Sequence, residues 1–264
     1  MWYGHPKTHV LLVDTDLPEG VHTNMQPYAG RGWCAMERKA SGLVKGGSAL
    51  ISLKGLTGEE TSIHKVRKNG KAAREPPVAP AAFASTLKEG VVSGAIKFTY
   101  RGDVEVVATT YGKAFAAEMA AVVKLTYNAL GWDDTQVLTV CEALRAAHAD
   151  GGLRKLETFS VIGNQMGDGA AAALAALVEE GAMPNLKELH LRNNQISNDG
   201  IATLASALQG GTLPACKYIG LFGNPGSDAK DVYADDSRVK KALASPERKA
   251  ALFAQRLRRR SREI

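Results

Sequence analysis

Asn164, Asn194 and Asn224 stand 30 and 30 residues apart, and Pro184 and Pro214 are separated by the same 30. Each asparagine closes one apolar frame. LETFSVIGN carries Leu156, Phe159 and Val161; LKELHLRNN carries Leu186, Leu189 and Leu191; CKYIGLFGN carries Cys216, Ile219 and Leu221. A fixed period constrains the fold strongly, because each unit must bury its apolar side against the next copy. The alternation inside each frame predicts a short strand. The asparagine side chain would turn inward and satisfy backbone groups that the following bend leaves unpaired. Helices should follow the first two bends. Ala170, Ala171, Leu174, Leu177 and Val178 share one face, as do Ile201, Leu204, Ala205 and Leu208.

The frame LxxLxLxxN with a full helix per unit resembles the leucine-rich repeat family, in its ribonuclease-inhibitor-like form, over residues 131–226. The resemblance implies an α/β solenoid of strand–helix units. The third copy stops at GNPGSDA without a matching helix, and such arrays generally need three or more units. Caps are therefore expected at both ends. WDDTQVLTVCEALRAAHADGG predicts a leading helix with Val137, Val140, Cys141 and Leu144 inward, and the C-terminal helices are candidates for the other end.

In such a repeat the residues between the apolar positions face the concave side. Three rows result: Thr158, Glu188, Tyr218; Ser160, His190, Gly220; and Ile162, Arg192, Phe222. Arg, Tyr and Phe together have the composition of an interface centre. The expected site is therefore a protein- or peptide-binding patch of His190, Arg192, Tyr218 and Phe222; a merely solvated or covered sheet face is the alternative. His190 has no second ligand at a metal-binding spacing, so no metal is expected.

The first 130 residues lack this period. THVLLVD, with four consecutive apolar residues from Val10 to Val13, predicts a strand buried on both faces. Asp14, Asp16 and Glu19 follow it and read as turn residues more readily than as ligand contacts. WCAMERKASGLV predicts a helix with Trp33, Met36, Ala40, Leu43 and Val44 on one side and Glu37 near that side. A strand, a loop and WCxxE resemble part of a TIR domain, over residues 8–44. That resemblance implies an α/β sheet and, as a rival function, NAD cleavage supported by Glu37. NAD would then be substrate, and no cofactor is expected. Neither GxxxxGK[ST] nor GxGxxG occurs in the chain. Trp33 is expected to anchor the helix in the sheet.

A Pro- and Lys-containing stretch, residues 65–82, predicts an extended solvated linker. Asp103 is a candidate N-cap for a long helix whose stripe runs Val104, Val107, Ala108, Tyr111, Phe115, Met119, Val122 and Leu125, with Gly112 as a point of interruption. Cys34, Cys141 and Cys216 are dispersed, which argues against a disulfide framework and for a reducing setting. Cys34 with His22, and His5 with His9, are weak candidates for chemistry.

Charge is uneven. Of 33 Lys/Arg and 27 Asp/Glu, the last 30 residues carry ten and four, and the rest of the chain is balanced. That tail predicts two short basic helices capped at Ser237 and Ser245. Nucleic acid, an anionic surface or nuclear targeting are its candidate uses. The expected organisation is a partial TIR-like α/β domain at 1–130, leucine-rich repeats at 131–232 and a basic helical tail at 233–264. Its expected function is non-enzymatic protein binding, as a signalling or scaffold protein in the cytoplasm.

Overall fold

The computed structural model describes residues 8–15, 27–45, 49–70, 74–100, 102–229 and 236–260, with side chains of the last helix described through residue 254. Asp16, Glu19, His5 and His22 lie outside these residues. The chain divides into two compact units, residues 1–119 and 120–264.

In the first unit, β1 (Val10–Leu12) and β2 (Leu50–Ser52) pair in parallel, with Val10 opposite Leu50 and Leu12 opposite Ser52. Leu12 and Leu50 form a small core with Val10 and Tyr28 against it. The expectation of a strand buried on both faces is corrected. Leu11 is 58% exposed and Val13 65%, because alternation sends them to the face opposite Leu12. Asp14 ties the two strand ends together. Ser52 Oγ donates to its carboxylate at 2.7 Å and the Lys54 amide at 3.2 Å.

The helix α1 (Gly32–Gly42) joins these strands. Met36, Ala40, Leu43 and Val44 are buried, but Trp33 is 41% exposed. Trp33 is thus not the apolar anchor it was expected to be. The segment at Lys97 and Phe98 takes that place: the Gly32 amide donates to Lys97 O at 3.1 Å, and Phe98 lies directly over Gly32. Trp33 instead donates through Nε1 to Asp103 at 3.0 Å.

The stretch 65–82 is not a solvated linker. It begins in α2 (Ile63–Asn69) and ends in α3 (Pro80–Ser93). Between them Arg74 is buried, and its guanidinium donates to Gly42 O, the C-terminus of α1, at 2.7 and 3.2 Å. Tyr111 Oη donates to Val78 O at 2.7 Å. The helix α4 (Asp103–Ala121) runs unbroken through Gly112 and buries Val107, Tyr111, Phe115 and Met119. It stops before Leu125, which belongs to a strand.

In the second unit, β3 (Lys124–Thr126), β4 (Thr158–Ser160), β5 (Glu188–His190) and β6 (Tyr218–Gly220) form a parallel sheet in that order. The sheet therefore starts one strand ahead of the frame, and the boundary lies earlier than 131. The helices α5 (Asp134–Ala149), α6 (Asp168–Glu179) and α7 (Asn198–Gln209) follow β3, β4 and β5. A reciprocal cap starts α5: Asp133 accepts from the Thr135 amide at 2.8 Å, and Gln136 accepts from the Asp133 amide at 2.9 Å. Leu125, Phe159, Leu189 and Ile219 form one buried row of the sheet, and Leu144, Leu174 and Leu204 are buried on the helices. Each such side chain contributes about 1.5–3 kcal/mol on burial.

The missing third helix arrives late. The helix α8 (Ser237–Ala244) packs on α7, burying Val239 and Ala242, and α9 (Pro246–Arg260) follows. The helices α8 and α9 thus cover the end of α7, the place expected for a C-terminal cap. Among the described residues no helix is long and apolar enough to cross a membrane.

Asp236 fixes the start of α8. Its buried carboxylate accepts from the Arg238 amide at 3.0 Å and from Arg238 Nη2 at 2.9 Å. Burial pulls the Asp236 carboxyl upward, but Arg238 and the Asp228 and Arg238 amides outweigh it and leave it below its usual value. A depressed carboxylate contributes stability that is present above the unfolded-state pKa, about 3.9, and lost as pH falls through the folded-state value. Urea midpoints of wild type and Asp236→Asn should therefore differ at neutral pH and converge in acid.

Candidate functional site

Strand register builds the outward sheet face. Lys124, Thr158, Glu188 and Tyr218 stand side by side, and next to them Thr126, Ser160, His190 and Gly220. A third row, Asn128, Ile162, Arg192 and Phe222, is held by the next bonds of the ladder: Ala129 N to Ile162 O at 2.8 Å, Gly163 N to Arg192 O at 3.0 Å and Asn193 N to Phe222 O at 2.8 Å. Four strands, not three, supply each row.

His190, Arg192, Tyr218 and Phe222 come together at the β5–β6 end. All four are half-buried rather than fully exposed. The His190 and Tyr218 rings lie 5.4 Å apart, tilted by 53°. His190 Nε2 is 3.1 Å from Glu188 Oε2, while its buried Nδ1 has no hydrogen-bond partner among the described residues. Gly220 makes this arrangement possible. A Cβ there would stand 2.8 Å from Tyr218 Oη and 3.2 Å from Arg192 Cγ. The tyrosine ring therefore folds across the glycine, and a larger residue would push it away. At the other end Asn128 Oδ1 accepts from Ser160 Oγ at 2.7 Å and from the Ile162 amide at 2.9 Å. Asn128 escaped the sequence reading because its strand lies 34, not 30, residues before β4; the alternation Leu125–Tyr127 was its only signal.

The three asparagines lie at the sheet's carboxyl edge, buried. Asn164 Oδ1 accepts from the Leu130 and Trp132 amides at 3.0 and 3.2 Å, and its Nδ2 donates to Tyr127 O and Val161 O at 2.7 and 2.9 Å. Asn194 accepts from Met166 N at 3.2 Å and donates to Val161 O and Leu191 O at 3.0 and 2.9 Å. Asn224 accepts from Ile196 N at 3.1 Å and donates to Leu191 O and Leu221 O at 2.9 and 2.7 Å. Each one thus stitches its own bend to the preceding unit.

The family model described as Leucine Rich repeat matches residues 182–205, the span of β5 and the start of α7. This segment is a leucine-rich repeat. No curated protein matches the chain. A leucine-rich repeat is consistent with a protein-interaction module.

Glu37 belongs to the first unit. Its backbone oxygen accepts from Ser41 Oγ at 2.7 Å. Its charge, after burial, raises the half-buried Cys34 thiol above its usual value. Burial, Cys34 and Glu37 together push the Tyr28 phenol up to about 12, with Asp14 adding to the rise. A cavity of about 270 Å³ opens nearby, with Phe83, Leu87 and Ile96 among its apolar lining and Arg38, Lys39 and Glu75 as its charged groups; Glu37 does not line it. Arg38 pairs with Glu75 at 3.1 Å, and Lys39 pairs with it too. Burial pulls the Glu75 carboxyl up, but Lys39 and Arg38 leave it below its usual value. Among the described residues no group of His, Cys, Asp and Glu could hold a metal ion.

Proposed function

We propose that the second unit is a short solenoid of ribonuclease-inhibitor-like repeats whose concave face binds a protein or peptide, as a non-enzymatic scaffold in a cytoplasmic signalling assembly. The observation that carries this reading is the cluster of His190, Tyr218 and Arg192 around Gly220, with Phe222 beside Arg192 in the next row of the same sheet. A half-buried aromatic pair beside a guanidinium needs little side-chain ordering on binding, the property of an interface anchor. One full helix between successive strands supports the ribonuclease-inhibitor-like type. The parallel β1–β2 pair joined through α1 supports a partial TIR-like first unit. Partner binding needs no cofactor.

The test is capture of partners by the intact chain, repeated with Arg192→Ala and Phe222→Ala. Each substitution should weaken partner binding by about 2 kcal/mol, roughly thirtyfold. An unchanged partner list and affinity in both would end this reading. The same preparation incubated with NAD separates the rival: nicotinamide release that disappears in Glu37→Ala would establish the enzymatic function instead.

A further inference from the structure

The helix α9 (Pro246–Arg260) has two unlike sides. One side is docked on the end of α7. Arg248 is 3% exposed, and its guanidinium donates to Leu208 O at 3.1 Å and Leu213 O at 2.6 Å. Ala251 comes so close to Gly211 that a Cβ on that glycine would lie 2.7 Å away. The other side is turned outward and is apolar. Ala250, Phe253 and Ala254 are exposed, and Phe253 shows 64% of its surface. In the sequence Leu257 follows Phe253 at the i+4 spacing of a helix. Basic residues accompany this strip: Lys249 is exposed next to it, Lys240 and Lys241 are exposed on α8, and in the sequence QRLRRR adds four arginines to the end of α9.

Phe253 stands in line with Ala250 and Ala254, so the exposed side of the helix is an apolar strip and not one isolated ring. An apolar strip flanked by cations on a helix of low mean hydropathy suits the boundary between lipid headgroups and acyl chains. The remainder of the chain is electrically balanced, so the attraction to an anionic surface is concentrated here. Nucleic acid would use the cations but leave the strip idle, and Phe253 is the helix's single aromatic residue, too little for a stacking series.

We propose that α9 is an interfacial helix that lays its outward face on an anionic lipid bilayer, with Phe253 between the headgroups and the arginines and lysines on their phosphates and carboxylates. The docked side, through Arg248, carries the rest of the second unit to that surface.

Flotation of the intact chain with vesicles tests this, using phosphatidylcholine alone and phosphatidylcholine with about one-third phosphatidylserine. Binding should require phosphatidylserine and fall as salt rises. Phe253→Asp, and separately Arg256→Gln with Arg258→Gln and Arg260→Gln, should each lower the bound fraction at least about tenfold. Phe253→Leu should retain most of it, which excludes a folding defect as the cause. Failure to float with anionic vesicles at low salt, or equal binding by Phe253→Asp, would overturn the proposal. So would absence of vesicle binding alongside duplex DNA binding that Phe253→Asp leaves unchanged; the surface would then be one for nucleic acid.

Discussion

Asn194→Ala should lower the stability of the second unit by roughly 3–5 kcal/mol, among the largest effects of any single substitution in the chain. The carboxamide is 1% exposed and serves backbone groups of two successive units. Alanine would leave the buried Met166 amide without the Asn194 oxygen and take one donor from each of Val161 O and Leu191 O, which would keep only the Nδ2 groups of Asn164 and Asn224. Asn194→Asp should fare no better, because a carboxylate can accept from Met166 but would face two carbonyl oxygens without a proton to offer. Trp132 is a convenient reporter. It is buried, stacked on Tyr127 at 5.2 Å, and its amide is held by Asn164. Urea unfolding of the intact chain, followed by Trp132 emission in a Trp2→Phe, Trp33→Phe background, would give the shift in midpoint. A shift under about 1 kcal/mol would mean that the bends are held by something other than the asparagine ladder.

That ladder was legible in the sequence because an inward asparagine has few substitutes. Two donor hydrogens and an accepting oxygen must reach three backbone groups at fixed geometry, and the residue recurs wherever the geometry recurs. The first strand–helix unit hid itself by breaking both cues. Leu130 stands where an asparagine would, and Asn164 of the next unit serves its bend. Its spacing is also four residues longer. The bend before each asparagine takes a left-handed residue, at Gly163, Asn193 and Gly223, but the first bend uses Ala129 at φ 53, which no sequence rule favours.

The first unit was harder for a different reason. Four apolar residues in a row fit a strand covered on both sides, yet Leu11 and Val13 lie open, and hydrophobic pattern alone does not say how many neighbours a strand has. The same limit applied to the stretch at 65–82. Its composition is that of a linker, but one arginine, Arg74, gains enough from capping α1 to draw the chain inward. At the candidate face the residue types were readable, and their half-buried packing was not. It depends on Gly220 leaving room for the Tyr218 ring, a relation across two residues that the strand geometry makes visible.

Arg248→Ala is the second large effect, with a loss of about 2–4 kcal/mol expected at the C-terminal end of the second unit. Arg248 is as buried as a core leucine, and burial draws its guanidinium below its usual value. The balance is restored by carbonyls. Leu208 O lies in the last turn of α7, where the helix dipole presents partial negative charge, and Leu213 O belongs to the following loop. Removing the side chain takes the charged donor from two carbonyls at once, each of which keeps a backbone donor, and takes away a contact that seats α9. Arg248→Lys should recover only part of the loss. An ammonium is a point charge, more strongly hydrated, and lacks the planar fork that reaches both oxygens from one position. Arg248→Met keeps the apolar stem but leaves Leu208 O and Leu213 O with backbone donors alone, such as Gly211 N and Cys216 N, so it should resemble alanine more than lysine. Limited trypsin digestion separates these outcomes locally, because cleavage within 246–260 should accelerate in the order lysine, methionine, alanine. Equal cleavage rates in wild type and Arg248→Ala would show that α9 is seated by its neighbours at Ala251 and Leu252, with the buried cation incidental to it.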